Sequence, residues 1–184
     1  MQIDTVYSLL FSLQKTIFIT YDNLCGKLLF TGKGTNKTAN NKRKTFYYWR
    51  RRQGVQLMKI LVVAAAFGPK DYAVILPMAG ENPDTSFYYF KEDLQPVCSN
   101  AIVNFNFTKQ KVYDKNWLDW LAHAHLIFIT GGDQERFITI VLNTPVYDAI
   151  HTAYANGATI AGNSAGSAVM SQKMITGKAL TDTS

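Results

Sequence analysis

Cysteine is scarce in this chain, with two residues, Cys25 and Cys98, among 184. Two thiols cannot build a disulfide framework or a four-ligand zinc site, and a reducing compartment is their simplest setting. Long apolar runs are lacking as well. No stretch reaches the roughly 18 apolar residues a spanning helix needs, which excludes one. Histidine is limited to His123, His125 and His151. Acidic residues are nearly missing from the first third: residues 1–58 hold ten Lys or Arg against two Asp, a net of +8. The remainder carries nine against eleven Asp or Glu, a net of −2, so the overall +6 belongs to an arm on a near-neutral domain. What is present is ordinary. At 47% hydrophobic and 17% charged, the chain has enough apolar material for one sizeable core and is not a disordered polymer.

The N-terminus carries Ser8-Leu9-Leu10-Phe11-Ser12-Leu13, a faint likeness to a secretory leader. Asp4 stands where positive charge is required, Gln14-Lys15 interrupts the apolar run, and no clean cleavage site follows, so a cytoplasmic protein is expected. Thr31–Gln53 is rich in Gly, Asn, Lys and Arg and shows neither the strand nor the helix period. This divides the chain into an irregular basic segment, 1–56, and a domain, 57–184.

Within the domain, apolar strands alternate with amphipathic stretches. Leu57–Ala66 fits a helix through Met58, Leu61 and Ala65, although Ile60-Leu61-Val62-Val63 could also be a strand. Tyr72–Leu76, Ala101–Phe107, Leu126–Thr130 and Ala158–Ala161 read as strands. Helices are expected over Ser86–Leu94 with Phe87, Tyr88 and Phe90 near one side, and over Asp114–His123 with Asp114 as cap. A further helix follows from Val146, Ala149, Ile150 and Ala153, closed by Asn156-Gly157, and another over Ala165–Met174. The pattern predicts an α/β fold: a mostly parallel sheet with helices on both faces, three layers in all.

Two turns between a strand and a helix stand out. Gly162-Asn163-Ser164-Ala165-Gly166 fits Gly-x-Ser-x-Gly, in which a serine on a tight turn is pushed out at the carboxyl edge of the sheet. Small neighbours are needed because the strand and helix backbones pass closely, and the Ala165 N–H is then a natural donor to a developing oxyanion. The plainer alternative is Ser164 as a helix cap. Gly131-Gly132-Asp133-Gln134 is the second turn; its glycines allow backbone to approach a substrate carbonyl, and Gln134 offers both donors and an acceptor. Its plainer alternative is a glycine turn with Asp133 as cap. In a doubly wound sheet these loops converge on one crevice.

Ile129–Gln134, Leu142-Asn143-Thr144-Pro145 and Gly157–Gly166, continued by Met170–Gly177 and preceded by Ala73–Ala79, together resemble the cyanophycinase and aspartyl dipeptidase family of serine peptidases. The resemblance implies a three-layer α/β/α domain of flavodoxin-like, class I glutamine amidotransferase-like type, C-terminally truncated here. It implies Ser164 as nucleophile, N–H groups of Gly132 and Ala165 as oxyanion hole, and Asp133 and Gln134 toward substrate, in the manner of the cyanophycinase branch. Cyanophycinases release β-Asp-Arg dipeptides from an aspartate-backbone polymer, so a peptide or cyanophycin-like substrate is implied, with a possible homodimer and no metal or organic cofactor.

The chain departs from the family in two ways. The family's histidine follows the nucleophile, whereas the 20 residues after Ser164 contain none, and Asp182 is a weak match to the family's acidic residue. The family's opening strand and glycine turn are also not evident. Gly26–Gly34 is an in-frame candidate. Alternatively, Thr45–Gln53 can be spelled so that a frame one nucleotide later encodes Leu-Phe-Ile-Ile-Gly-Gly-Gly-Asp, which would make part of the basic arm out-of-frame translation. Three functions follow: a cyanophycinase-type peptidase lacking its base, a non-catalytic peptide-binding relative, or a basic arm that binds nucleic acid with Tyr47, Tyr48 and Trp49 as stacking groups. The last is disfavoured against a solvated arm. Titration of the chain with labelled DNA and RNA at rising salt is expected to show no binding; a steep salt-dependent affinity would reinstate the nucleic-acid reading.

Overall fold

A computed structural model describes residues 55–171 in full, together with the backbone pairing of two further strands, β1 (Ile17–Phe18) and β2 (Lys44–Tyr48). Then follow α1 (Val55–Ala65), β3 (Tyr72–Leu76), α2 (Pro83–Leu94), β4 (Ala101–Asn104), α3 (Lys115–Ala122) and β5 (Leu126–Ile129). The chain continues through α4 (Gln134–Val141), α5 (Pro145–Ala155), β6 (Thr159–Asn163) and the short α6 (Ala165–Ala168). The sheet runs in the order β1-β2-β6-β5-β3-β4, and every neighbouring pair is parallel. After β3 the chain steps outward to β4, then returns to β5 and β6 on the other side. Strand order therefore reverses between β3 and β5, which opens a crevice at their carboxyl ends.

The strands are almost continuously apolar because both faces are covered. Alternation along each strand assigns its side chains to two separate cores. Val74, Leu76, Ile127, Ile129 and Ile160 pack under α3, α4 and α5, against Leu121, Phe137, Val141, Val146, Ile150 and Ala153. Ala73, Ile75, Leu126, Phe128 and Ala161 face the other way, against Met58, Leu61 and Ala65 of α1 and Phe90 and Leu94 of α2. The three layers follow directly. Phe90 stacks on Phe128 with ring centroids 3.7 Å apart, anchoring α2 to the middle of the sheet.

The ambiguous 57–66 stretch is helical as far as Ala65, in a helix that starts two residues earlier at Val55 and leaves Ala66 outside at φ +52°. It buries the three residues that fit the helical period, Met58, Leu61 and Ala65. Helix α3 starts where Asp114 accepts the N–H groups of Asn116 and Trp117. Helix α5 ends where Gly157, at φ +104°, lets its own N–H reach the Tyr154 carbonyl and the Ala158 N–H reach Ala153. Other boundaries differ from expectation. Helix α2 begins three residues early, because Asn82 caps it through the Thr85 N–H and Pro83 is pre-set for the first turn. Tyr88 lies on the solvent side, 56% exposed, instead of beside Phe90. Strand β4 stops at Asn104, and the buried Phe105 and Phe107 pack with Trp117 from a loop. Strand β2 falls inside the stretch that shows no period, and pairs with β6 over Lys44–Tyr48. The helix expected over Ala165–Met174 is one short turn, since α6 closes at Ala168 and Val169–Ser171 leave the helix as turn and bend. Cys25, the leader-like run, most of the basic arm, the end of that stretch, Gly177 and Asp182 lie outside the described residues. No helix among the described residues is long and apolar enough to cross a membrane.

At the β6–α6 junction, backbone packs on backbone. A Cβ on Gly162 would lie 2.6 Å from the Gly166 carbonyl group, and one on Gly166 would strike the Ile129 carbonyl oxygen. Substitution Gly166→Ala is therefore expected to destabilise by about 2 kcal/mol or more, since a main-chain atom cannot yield as a side chain can. Phe128→Ala should cost about 3–5 kcal/mol through the cavity beneath Phe90, while Tyr88→Ala stays within about 0.5 kcal/mol. Urea unfolding followed by circular dichroism measures all three; similar losses at Phe128 and Tyr88 would contradict the core assignment.

Candidate active site

Three loops leave the carboxyl ends of β3, β5 and β6 side by side. The register aligns Leu76 with Ile129 and Ile129 with Gly162, so Pro77–Gly80, Thr130–Gly132 and Asn163–Ser164 begin level with one another. The first loop is a tight turn closed by the Gly80 N–H on the Pro77 carbonyl at 2.9 Å. The second rests on it, since Gly132, at φ +148°, lies so close to the Ala79 carbonyl that no side chain would fit. The third meets the second, and a Cβ built on Gly131 would lie 3.1 Å from the Ser164 Cβ. The two motifs therefore share one crevice.

Ser164 has φ +52° and ψ −118°, a conformation that L-residues rarely adopt. Its side chain makes no capping bond to α6 and is exposed. The structure thus decides against the plainer reading of this serine: the hydroxyl stands out on a strained strand-to-helix turn instead of serving the helix. Nearby, Ser167 turns inward, donating from Oγ to the Gly162 carbonyl at 2.6 Å and bracing the turn from below.

At the second turn, the plainer reading holds for one oxygen of Asp133. Its Oδ1 accepts the N–H groups of Glu135 at 2.8 Å and Arg136 at 3.2 Å, which starts α4. Gln134, the first residue of that helix, is half-buried at the rim. The three successive backbone N–H groups differ in what they meet. Gly131 N–H donates to Asn163 Oδ1 at 2.8 Å and Asp133 N–H to the Ala79 carbonyl at 2.8 Å. Gly132 N–H, between them, meets no acceptor among the described residues. Ala165 N–H, at the first position of α6, is likewise one of the donors a helix start leaves unpaired within itself. Arg136 adds its Nη1 to the Ala79 carbonyl at 3.3 Å.

Sequence patterns pointed to Ser164, Gly132, Ala165, Asp133 and Gln134, and all five lie around this crevice. They gave no weight to Asn163, whose amide bridges the two turns, or to Ala79, whose carbonyl anchors the second. The signal for Asn163 was slight: a short amide side chain directly before the serine.

The histidines lie elsewhere. His123 caps the end of α3, its Nδ1 2.8 Å from the Asp119 carbonyl, as its place at a helix C-terminus suggests. His125 precedes β5 and pairs with Asp71 at 3.3 Å, at the amino edge of the sheet. The six residues to Gly131 put it about 20 Å from the serine turn. His151 sits one turn before the end of α5, its ring 4.3 Å from that of Tyr147, near where the chain enters the amino end of β6. None is placed to take a proton from Ser164. Among the described residues, no three His, Cys, Asp or Glu side chains form a group able to hold a metal.

Comparison with known proteins bears on the fold and the family. A peptidase from an acI-B1 Actinobacterium shares the fold with a TM-score of 0.53 at 20% identity, over 64% of this chain and 50% of that one. A cyanophycinase from Geminocystis herdmanii (strain PCC 6308) is 38% identical over 65 residues, which are 35% of this chain and 24% of that protein. Cyanophycinases from Trichormus variabilis (strain ATCC 29413 / PCC 7937) and Nostoc sp. (strain PCC 7120 / SAG 25.82 / UTEX 2576) are each 46% identical over 52 residues, 28% of this chain and 17% of theirs. The chain thus matches about a quarter or less of the length of these relatives. The profile of Peptidase family S51 covers residues 67–183, taking in both turns and the crevice between them, and the chain belongs to that family.

Proposed function

We propose that this chain carries the nucleophile half of a serine peptidase of the cyanophycinase type, directed at peptide bonds at aspartate residues, such as the backbone bonds whose cleavage releases β-Asp-Arg. The observation that supports it most is the exposed, strained, non-capping Ser164 beside a glycine turn whose central N–H meets no acceptor among the described residues. In this reading Ser164 Oγ adds to the substrate carbonyl carbon, and the carbonyl electron pair moves onto oxygen between the N–H groups of Gly132 and Ala165. One such donor is worth about 3–4 kcal/mol in a transition state. Collapse expels the amine and leaves an acyl-serine for water to hydrolyse. Gln134 faces substrate at the rim, with Asp133 contributing the carboxylate oxygen not used to cap α4.

Both proton transfers need a base and an acid, and no histidine of the chain stands near Ser164. This favours a second reading, a peptide-binding relative that keeps the crevice without turnover. The two separate on reactivity. A fluorophosphonate is expected to label the purified 184-residue chain slowly, with labelling lost in Ser164→Ala. Release of β-Asp-Arg should stay at the residual level of triad-deficient hydrolases, about 10³–10⁴-fold above the uncatalysed rate. Peptide binding without any labelling would favour the binding protein, and full-rate release would overturn the argument from the histidines.

A further inference from the structure

The parallel ladder between β5 and β6 ends at the Ile129–Gly162 pair. Past it, the Thr130 N–H still reaches the Leu76 carbonyl of β3 at 3.2 Å, but among the described residues no backbone bond joins Gly131–Gly132 to Asn163–Ser164. An attacking hydroxyl and an oxyanion donor nevertheless need a constant separation. One side chain spans the gap: Asn163 Oδ1 accepts the Gly131 N–H at 2.8 Å. On the far side of the same turn, the Ala79 carbonyl takes the Asp133 N–H at 2.8 Å. Gly132 is thus flanked by two tethered peptides while its own N–H stays open.

We propose that Asn163 is a positioning residue for the chemistry at Ser164, a role that rests on the serine-nucleophile reading above. Its amide carries the β5–β6 register across the edge of the sheet and sets the Gly132 N–H at a fixed reach from Ser164 Oγ. Asn163 suits the task because it is the residue before the serine, so the tether and the nucleophile move as one unit. Arg136 reinforces the opposite anchor at Ala79, 3.3 Å from its carbonyl, leaving the Asn163 side as the link that a single side chain controls.

The test compares the full chain with Asn163→Ala and Asn163→Asp, the latter keeping an acceptor oxygen. Two quantities are read: amide hydrogen exchange by ¹⁵N NMR, and the second-order rate of fluorophosphonate labelling at Ser164. In Asn163→Ala, Gly131 protection is expected to fall about tenfold while Phe128 and Ile160 keep theirs. The labelling rate is expected to fall about 10- to 100-fold, as misplacement of a catalytic group by about an ångström allows. Asn163→Asp is expected to retain Gly131 protection and to label faster than the alanine variant. Should Asn163→Ala unfold the sheet, Asn163→Asp decides: a protected Gly131 supports the tether, and an exposed one refutes it. Labelling of Asn163→Ala at the wild-type rate sinks the positioning role alone, whereas a wild-type chain that never labels sinks the nucleophile reading and this role with it.

Discussion

Contact between backbones at the carboxyl edge of the sheet governs the rest of this structure. Gly162 meets Gly166, Gly166 meets the Ile129 carbonyl, Gly131 meets Asn163 and Ser164, and Gly132 meets the Ala79 carbonyl, each without room for an easy Cβ. Glycine costs conformational entropy wherever it is ordered, so a cluster of this kind needs an offsetting gain. The gain here is proximity. With side chains removed from between them, three loops from three strands come within hydrogen-bonding distance of one another. In the proposed reading, this is what brings a hydroxyl and a set of N–H groups to one carbonyl.

Such an edge holds its shape only on a stiff platform. Splitting the strand side chains between two cores supplies it, because every strand from β3 to β6 apart from the edge strand β4 is gripped from above and below. The helices divide the labour. Helices α1 and α2 seal one face through Met58, Leu61 and the Phe90–Phe128 stack, while α3, α4 and α5 seal the other. A close-packed interior has low compressibility and transmits strain, so loops at its rim inherit the register of the strands beneath them. Where that register runs out, side chains take over: Asn163 at one junction, Asp133 and Arg136 at another.

Much of this was legible in the sequence because it is local. Continuous apolar runs at Tyr72–Leu76 and Leu126–Ile129 announce buried parallel strands, and the spacing of Val146, Ala149, Ile150 and Ala153 announces the face of α5. Asp114 and Asn156-Gly157 mark helix ends by their own chemistry. What could not be read locally depends on partners distant in the chain. Tyr88 is apolar enough for a core, but its direction is set by how α2 rolls when Phe90 finds Phe128. Strand β2 has no period of its own and exists through its pairing with β6. The same holds at the crevice. Ser164 and Gly132 are visible as motif positions, whereas the Asn163–Gly131 bond joins residues 32 apart and leaves no trace in either motif.

The serine itself gives the strongest argument that the edge is built for chemistry. A non-glycine residue at φ +52° and ψ −118° carries strain of about 1–3 kcal/mol, which glycine at the same position would relieve. A serine can justify that cost structurally by capping the helix it precedes, and this one does not. Packing offers no justification either, since its side chain is exposed, while Ser167 does the bracing from inside. Stability alone would therefore select glycine at 164. The strained turn leaves the side chain exposed and next to the Gly131–Gly132 loop, whose central N–H meets no acceptor among the described residues and is flanked by anchored ones. The distant histidines bear on whether this hydroxyl can lose its proton, whereas the strain bears on where it is held, so the two observations constrain different steps.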